Sequence, residues 1–312
     1  MPAAVAFHMI GSADRRLSDQ PAARSMADPA PKIVDTDALK RRPLPDHPAA
    51  LYTVASIATP VSLDEAHAAD SIGHYRRHGW LAVRDVWEDR TVSATSRLLD
   101  SLAAGGGAHA ARQFEVAAPR RDAGRPVTPT VRKLGFPVDQ ATASGLPVDE
   151  PTMLGIVRKL MDVVDVELYQ AMALLKPAAG GREKPWHQDH AYFDLAIGTP
   201  IVGVWIAIDE ATLQNGCMHL LDRGHAAGPR PHVAIRDWQL CDTEMLGIGS
   251  VAVPLAPGGA LFFDGLLPHG TPTNRSGSRR RAVQLHFCPA GSRRVTKAER
   301  FLHFGDRGVA EC

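Results

Sequence analysis

A mainly β domain, an antiparallel sandwich with helices buttressing one sheet, is the fold class that the 312-residue sequence predicts. Three observations carry the prediction. At least six short apolar runs between residues 166 and 288 are separated by Gly and Pro turns, with no helical pattern between them. The helical patterns come earlier in the chain, so helices pack from one side onto the strands that follow. No repeat and no second core is visible, which leaves residues 51–312 as a single domain behind a flexible N-terminal arm, residues 1–50, rich in Ala, Pro, Arg and Asp.

The elements follow in order. Ser62-Leu-Asp-Glu65 is a capping box that opens a helix through Ile72, His74 and Tyr75 to His78, and Gly79 ends it. Trp80 to Val86 alternates like a strand, and a second helix spans Glu88 to Ala103. From Gly105 to Thr130 the chain is punctuated by Gly, Pro and Arg, as expected of a loop, a lid or a binding loop. Thr130 to Phe136 is a short strand carrying Lys133, and Pro151 to Val164 is a helix with Pro in its first turn. The strand runs are Val166–Leu175, Ile201–Ile208, Cys217–Leu221, Ser250–Leu255, Ala260–Asp264 and Ala282–Cys288.

Composition excludes several function classes. Charged residues make up 22% and the net charge is +1, so no polyanion partner is indicated. Aromatics are only 6% and no basic stripe interleaves with them, which argues against nucleic acid. No apolar run is long enough for a membrane span. Met1 to Ile10 is short, and Arg15 and Arg16 follow rather than precede it, so it does not read as a signal peptide. Cys217, Cys241, Cys288 and Cys312 are scattered without paired spacing, so reduced thiols and a cytoplasmic location are expected.

The chemistry centres on Pro185-Trp186-His187-Gln188-Asp189-His190. In an extended run His187 and Asp189, at i and i+2, leave the same face and can close on one metal ion. Imidazole with carboxylate suits Fe(II), Mn or Zn. With 14 His and 34 acidic residues, about one or two such triplets arise by chance, so more is needed. The apolar strand Gly259–Asp264 delivers His269 into a Gly-rich turn, where it can serve as a third ligand or as a buried, capping histidine. Ser278-Arg-Arg-Arg281 then feeds a neighbouring strand. There Arg280 can aim a bidentate fork at a carboxylate, while Arg279 and Arg281 read as a solvated turn.

In that order, His187-Gln-Asp189, His269 and Arg280 resemble the phytanoyl-CoA dioxygenase family of Fe(II)- and 2-oxoglutarate-dependent oxygenases, in which the arginine also lies eleven residues beyond the second histidine. Trp205-Ile-Ala-Ile-Asp209, Gln214-Asn-Gly-Cys217 and Asp222-Arg-Gly-His225 extend the similarity, which covers residues 63–287. The resemblance implies a double-stranded β-helix, a cupin-like jelly-roll barrel with the metal at its open end. It makes His187, Asp189 and His269 a 2-His-1-carboxylate triad for Fe(II), leaving three positions for 2-oxoglutarate and O2. Arg280 would clamp the distal carboxylate of 2-oxoglutarate, and Thr271 would add a hydroxyl. Lys133 and Trp205 match positions that line the co-substrate pocket in relatives, although Trp205 is equally a core residue. Ascorbate is implied as an auxiliary reductant.

The family reaction decarboxylates the keto acid to succinate and oxidises an unactivated C–H bond. Because Asp189 occupies the position that halogenases leave to chloride, hydroxylation, desaturation or ring closure is expected rather than chlorination. The substrate is expected to be a small molecule, anionic or a natural-product intermediate; Arg112, Arg120, Arg121 and Arg125 would attract an anion. No feature reads coenzyme A, and no heptad or exposed edge indicates an oligomeric state. His190 is expected on the face opposite His187. Tyr192 and Phe193 wall the pocket or pack, and His225 supports the site. His219 and His286 read as core histidines, and Asn274-Arg-Ser276 is a glycosylation pattern without context. Two rival readings remain. A Zn or Mn isomerase or hydrolase on the same barrel would not need Arg280. A non-catalytic jelly-roll binding protein would tolerate loss of His187 or Asp189.

Overall fold

The computed structural model describes residues 46–106, 110–115 and 130–305. Residues 1–45 of the expected arm, and Arg120, Arg121 and Arg125 of the expected lid, lie outside the described residues. Among the described residues the strands run in chain order: β1 (Val54–Ile57), β2 (Trp80–Val83), β3 (Ala111–Phe114), β4 (Val131–Phe136), β5 (Val166–Lys176), β6 (Lys184–His187), β7 (Val202–Ala207), β8 (Met218–Leu220), β9 (Val233–Ala234), β10 (Trp238–Gln239), β11 (Ser250–Val253), β12 (Ala260–Asp264), β13 (His269–Thr271) and β14 (Arg280–Pro289).

A five-stranded sheet has the order β1-β11-β8-β13-β6, and a seven-stranded sheet the order β2-β12-β7-β14-β5-β4-β3. All pairings in both are antiparallel except β1 with β11, and β9 with β10 forms a separate small ribbon. This is the jelly-roll sandwich that the sequence pattern and the resemblance lead to.

Period-two alternation in the seven-stranded sheet decides which residues face which layer. Val204 and Ile206 of β7, Phe262 of β12, and Val283 and Leu285 of β14 pack on the helix side. There they meet Leu99 and Leu102 of the helix Asp89–Ala103 and Met153, Ile156 and Leu160 of the helix Pro151–Met161. The intervening Trp205, Leu261, Phe263 and Ala282 face the other sheet, against Leu220, Val253 and Leu267. Both faces of these central strands are buried, so they read as continuous apolar runs. Burying one such Leu or Phe stabilises the fold by about 1.5–3 kcal/mol.

The expected helix starts hold. Ser62 and Glu65 form the capping box, and Gly79 ends the following helix at φ +81°. The first helix is broken, however, into Leu63–Ala66 and Ala69–His78. The expected strand beyond Val83 ends early, and Asp85 there has φ +58°. The helix Pro151–Met161 stops three residues short of Val164 because Asp162 turns left-handed. The segment read as a loop contains β3, which pairs with β4. Arg112 is therefore a strand residue, and it is absent from the walls of the large cavity described below. Arg281, read as solvated, is 4% exposed and binds Asp209, Asp100 and Ser96. Cys217 and Cys288 are free and buried, but Cys241 is disulfide-bonded, a pairing for which the scattered cysteines gave no spacing signal. Asn274 is fully buried, with its amide donating to Pro177 and Ser278 carbonyls, which removes the glycosylation pattern from consideration. No described helix is long and apolar enough to cross a membrane.

Candidate metal centre and co-substrate pocket

β6 and β13 are antiparallel neighbours, and His187 and His269 are direct partners across them. Their ring centroids lie 4.2 Å apart. The expected Gly-rich turn around His269 is thus a strand. Backbone pairing to β6 and β8, rather than a loop, fixes that histidine. After His187 the chain stays extended through Gln188 and then enters a single turn, Asp189–Tyr192. Gln188 is held the other way, donating its side-chain amide to the carbonyls of Gly228 and Leu266. Asp189 therefore returns to the face of His187. One donor atom from each of His187, Asp189 and His269 falls within 4.8 Å of the others, and all three residues are buried.

The imidazoles are oriented by their own strands. His187 Nδ1 lies 2.7 Å from the carbonyl of Pro185, and His269 Nδ1 lies 2.9 Å from that of Leu267, in each case two residues upstream. Those contacts assign the proton to Nδ1 and leave both Nε2 atoms free to coordinate. Burial lowers both imidazoles below their ordinary range, His269 to about 3, so both are neutral and able to bind metal. Burial alone would raise the Asp189 carboxyl, but His286, His269 and His187 around it hold it well below the usual range. His286 Nε2 sits 2.6 Å from Asp189 Oδ2, and Gln284 Nε2 sits 3.2 Å from the same oxygen.

Arg280, at the start of β14, is 1% exposed. Its Nη2 donates to the Gly216 carbonyl at 3.0 Å, while Nε and Nη1 are buried without a hydrogen-bond partner among the described residues. Burial pushes the guanidinium down to about 10. An arginine with two orphaned donors is costly unless something accepts from them, and this arrangement could seat an anion. Gly216 makes the seat possible. It has φ +85°, and a Cβ there would meet the Pro272 carbonyl at 2.5 Å.

A cavity of about 980 Å³, counted out into its open mouth, joins these groups. His187, Asp189, His269, Thr271, Arg280 and Lys133 all line it. Trp205 does not. It is fully buried between the sheets with its ring centroid 5.2 Å from the Arg280 guanidinium carbon, so it backs the arginine instead of lining the pocket. Sequence reasoning missed Lys176, which faces Arg280 in register across β5 and β14 and donates to the carbonyls of Thr271 and Pro272. It also read His286 only as a core histidine, whereas its Nε2 meets the Asp189 carboxylate. Tyr192 and Phe193 both line the cavity. His190 is buried with Nε2 on the Leu195 carbonyl, and His225 lies under Gly79 with Nε2 on the Arg76 carbonyl. Neither belongs to the His187–Asp189–His269 cluster.

Comparison with known proteins identifies what the chain is similar to. The model of the phytanoyl-CoA dioxygenase (PhyH) family matches residues 75–282. The human peroxisomal phytanoyl-CoA dioxygenase is 30% identical over 130 residues, a match spanning 38% of this chain and 38% of that protein. Among solved structures, EvdO2 from Micromonospora carbonacea var. aurantiaca, complexed with 2-oxoglutarate, is 28% identical with a TM-score of 0.56. The alignment covers 74% of this chain and 94% of EvdO2. The epimerase SnoN, complexed with Fe3+, alpha ketoglutarate and nogalamycin RO, shares the fold at 18% identity and a TM-score of 0.58, covering 77% of this chain and 88% of SnoN.

Proposed function

The chain belongs to the phytanoyl-CoA dioxygenase family, and from that premise we propose that it is an Fe(II)- and 2-oxoglutarate-dependent dioxygenase. It oxidises an unactivated C–H bond of a small organic molecule, by hydroxylation or a related oxidation, and releases succinate and carbon dioxide. One observation carries the reading beyond family membership. In the cavity that holds the His-Asp-His cluster, Arg280 presents two buried donors that find no acceptor among the described residues. A metal hydrolase or isomerase has no use for that arginine, whereas a keto acid with a distal carboxylate does.

His187, Asp189 and His269 would hold the iron: two neutral Nε2 donors and a carboxylate are the ligand set of a 2-His-1-carboxylate site. An iron held there would supply the activation of dioxygen, with electrons drawn from decarboxylation of the keto acid. The chain's own residues position the partners. Arg280 takes the distal carboxylate, with the hydroxyl of Thr271 and the ammonium of Lys133 in the same cavity. Trp205 keeps the guanidinium in place from behind. Asp189 keeps its place in the ligand set, which supports oxygenation over halogenation.

The test is anaerobic titration of the purified protein with Fe(II) and 2-oxoglutarate, followed by a substrate screen scored by succinate release. Saturable 2-oxoglutarate binding that requires metal and Arg280 is expected. Turnover of a substrate without consumption of 2-oxoglutarate would sink the proposal.

A further inference from the structure

The cavity wall carries six basic side chains against three carboxylates, Glu115, Asp189 and Asp237. Iron(II) and a keto-acid dianion would cancel each other's charge, so their arrival leaves that excess in place. Most of the basic groups are already engaged. Arg182 is bound to Glu115 at 2.7 Å and Lys184 to Asp237 at 2.8 Å. Lys176 donates to two backbone carbonyls, and Arg280 has the keto-acid role. Arg132 is different: among the described residues it makes no hydrogen bond and no ion pair.

The backbone explains why Arg132 faces the cavity at all. In the β3–β4 ladder Gln113 pairs with Lys133 and the next residue, Phe114, pairs with Val131. Two residues of β4 therefore advance against one of β3, a β-bulge with Arg132 as the extra residue. Val131 and Leu134 keep their places in the helix-side core, while Arg132 and Lys133 both reach the cavity. Without the bulge, strict alternation would send neighbouring side chains to opposite faces. Burial depresses the guanidinium below its usual range, with Glu115 and Asp237 the carboxylates acting on it. Both carboxylates are held by other cations. Lys184, bound to Asp237, also donates to the hydroxyl of Tyr192, whose ring lies 5.6 Å from that of His187. Arg132 thus shares one cavity wall with His187, Asp189 and His269.

We propose that Arg132 anchors an anionic group, a carboxylate or a phosphate, of the primary substrate, so that the substrate class is organic acids or phosphate esters. The assignment rests on the proposed dioxygenase function for what the anchored molecule undergoes, but the binding subsite itself does not. A fork of guanidinium donors in a partly dry wall selects planar or tetrahedral oxyanions over their neutral counterparts.

Calorimetry on the protein loaded with Mn(II) and 2-oxoglutarate tests it with matched probes: aryl and alkyl carboxylates against their methyl esters, and phosphate monoesters against the free alcohols. At least one anionic series should bind about tenfold or more tighter than its neutral partners, and which series does so identifies the anion. Arg132→Met and Arg132→Gln should abolish that preference, a loss of about 10- to 100-fold for the acid. 2-Oxoglutarate affinity and substrate-independent succinate release should stay unchanged. Equal binding of acids and neutral partners, or a preference that survives both substitutions, overturns the proposal. Weakened 2-oxoglutarate binding in the variants also overturns it, because Arg132 would then serve the co-substrate. If the wild type binds no 2-oxoglutarate yet still discriminates acids through Arg132, the dioxygenase reading falls and the subsite stands.

Discussion

Asp189 and His286 meet across 97 residues of sequence, Oδ2 to Nε2, at 2.6 Å, with both side chains almost fully buried. The contact gives one oxygen of the metal-facing carboxylate a fixed donor, aiming the other toward His187 Nε2, 3.4 Å away. Partners of this kind typically change metal affinity by about 10- to 100-fold when removed. His286→Leu should therefore weaken Fe(II) binding by about that factor while the far-ultraviolet spectrum stays that of a folded protein. His286→Gln, which can still donate, should recover part of the loss. Unaltered Fe(II) affinity in His286→Leu would show that Asp189 is oriented without it.

Arg280→Lys keeps the charge and loses the fork. With Nε and Nη1 gone, only a point charge remains for the distal carboxylate. Affinity for 2-oxoglutarate should fall by about 10- to 100-fold, equivalent to ~1.5–3 kcal/mol for charge-assisted hydrogen bonds, with metal affinity intact. Titration of 2-oxoglutarate into Mn(II)-loaded protein measures both.

Gly216→Ala combines a left-handed backbone, φ +85°, with a Cβ placed 2.5 Å from the Pro272 carbonyl. A loss of about 1–3 kcal/mol in denaturant unfolding is expected. Because the Gly216 carbonyl is the acceptor for Arg280 Nη2, 2-oxoglutarate binding should weaken in the same variant. A stability loss with normal co-substrate affinity would mean that Arg280 is positioned from elsewhere.

Acid should destabilise the metal-free protein earlier than carboxylate titration alone would. Burial lowers His219 to about 4 and His232 to about 3, and the His232 Nε2 accepts from the Gln188 backbone N–H at 3.0 Å. These groups are neutral when folded and take up protons when unfolded. Their contribution is complete above the unfolded value of 6.5 and is lost as pH falls toward 3 to 4. Each adds a slope of up to ~1.4 kcal/mol per pH unit in that window. His232→Gln should flatten the dependence by about one proton between pH ~6 and ~4 in pH-resolved unfolding curves. An unchanged slope would show that His232 is not the neutral acceptor described.

Much of this site is legible in the chain. His187 and Asp189 lie two apart in an extended run, and His269 and Arg280 follow in the order and spacing of the family they resemble, so the resemblance, rather than spacing alone, points to the triad and the arginine. What hides is pairing at a distance. Alternation says that His286 faces the interior of β14, but not that Asp189 waits there, and it says nothing of the carbonyls of Pro185 and Leu267. β4 is legible as the expected strand Thr130–Phe136, but its partner β3 escapes because its Arg- and Gly-rich surroundings look like loop. Arg281 escapes for a related reason: a run of three arginines reads as solvated, yet alternation sends Arg280 inward and Arg281 onto Asp209 beside the helix Asp89–Ala103.

The carbonyls that grip the two imidazoles have a cost and a benefit for selectivity. Since each ring is set by its own strand, the ligand arrangement exists before any ion arrives, and little rearrangement is left to distinguish one divalent cation from another. Affinity should then climb in the general order Mn, Fe, Co, Ni, with zinc a strong competitor. Occupancy by iron in the cell would be decided by supply and exchange, so protein purified aerobically should carry a mixture of metals whose proportions follow the growth medium.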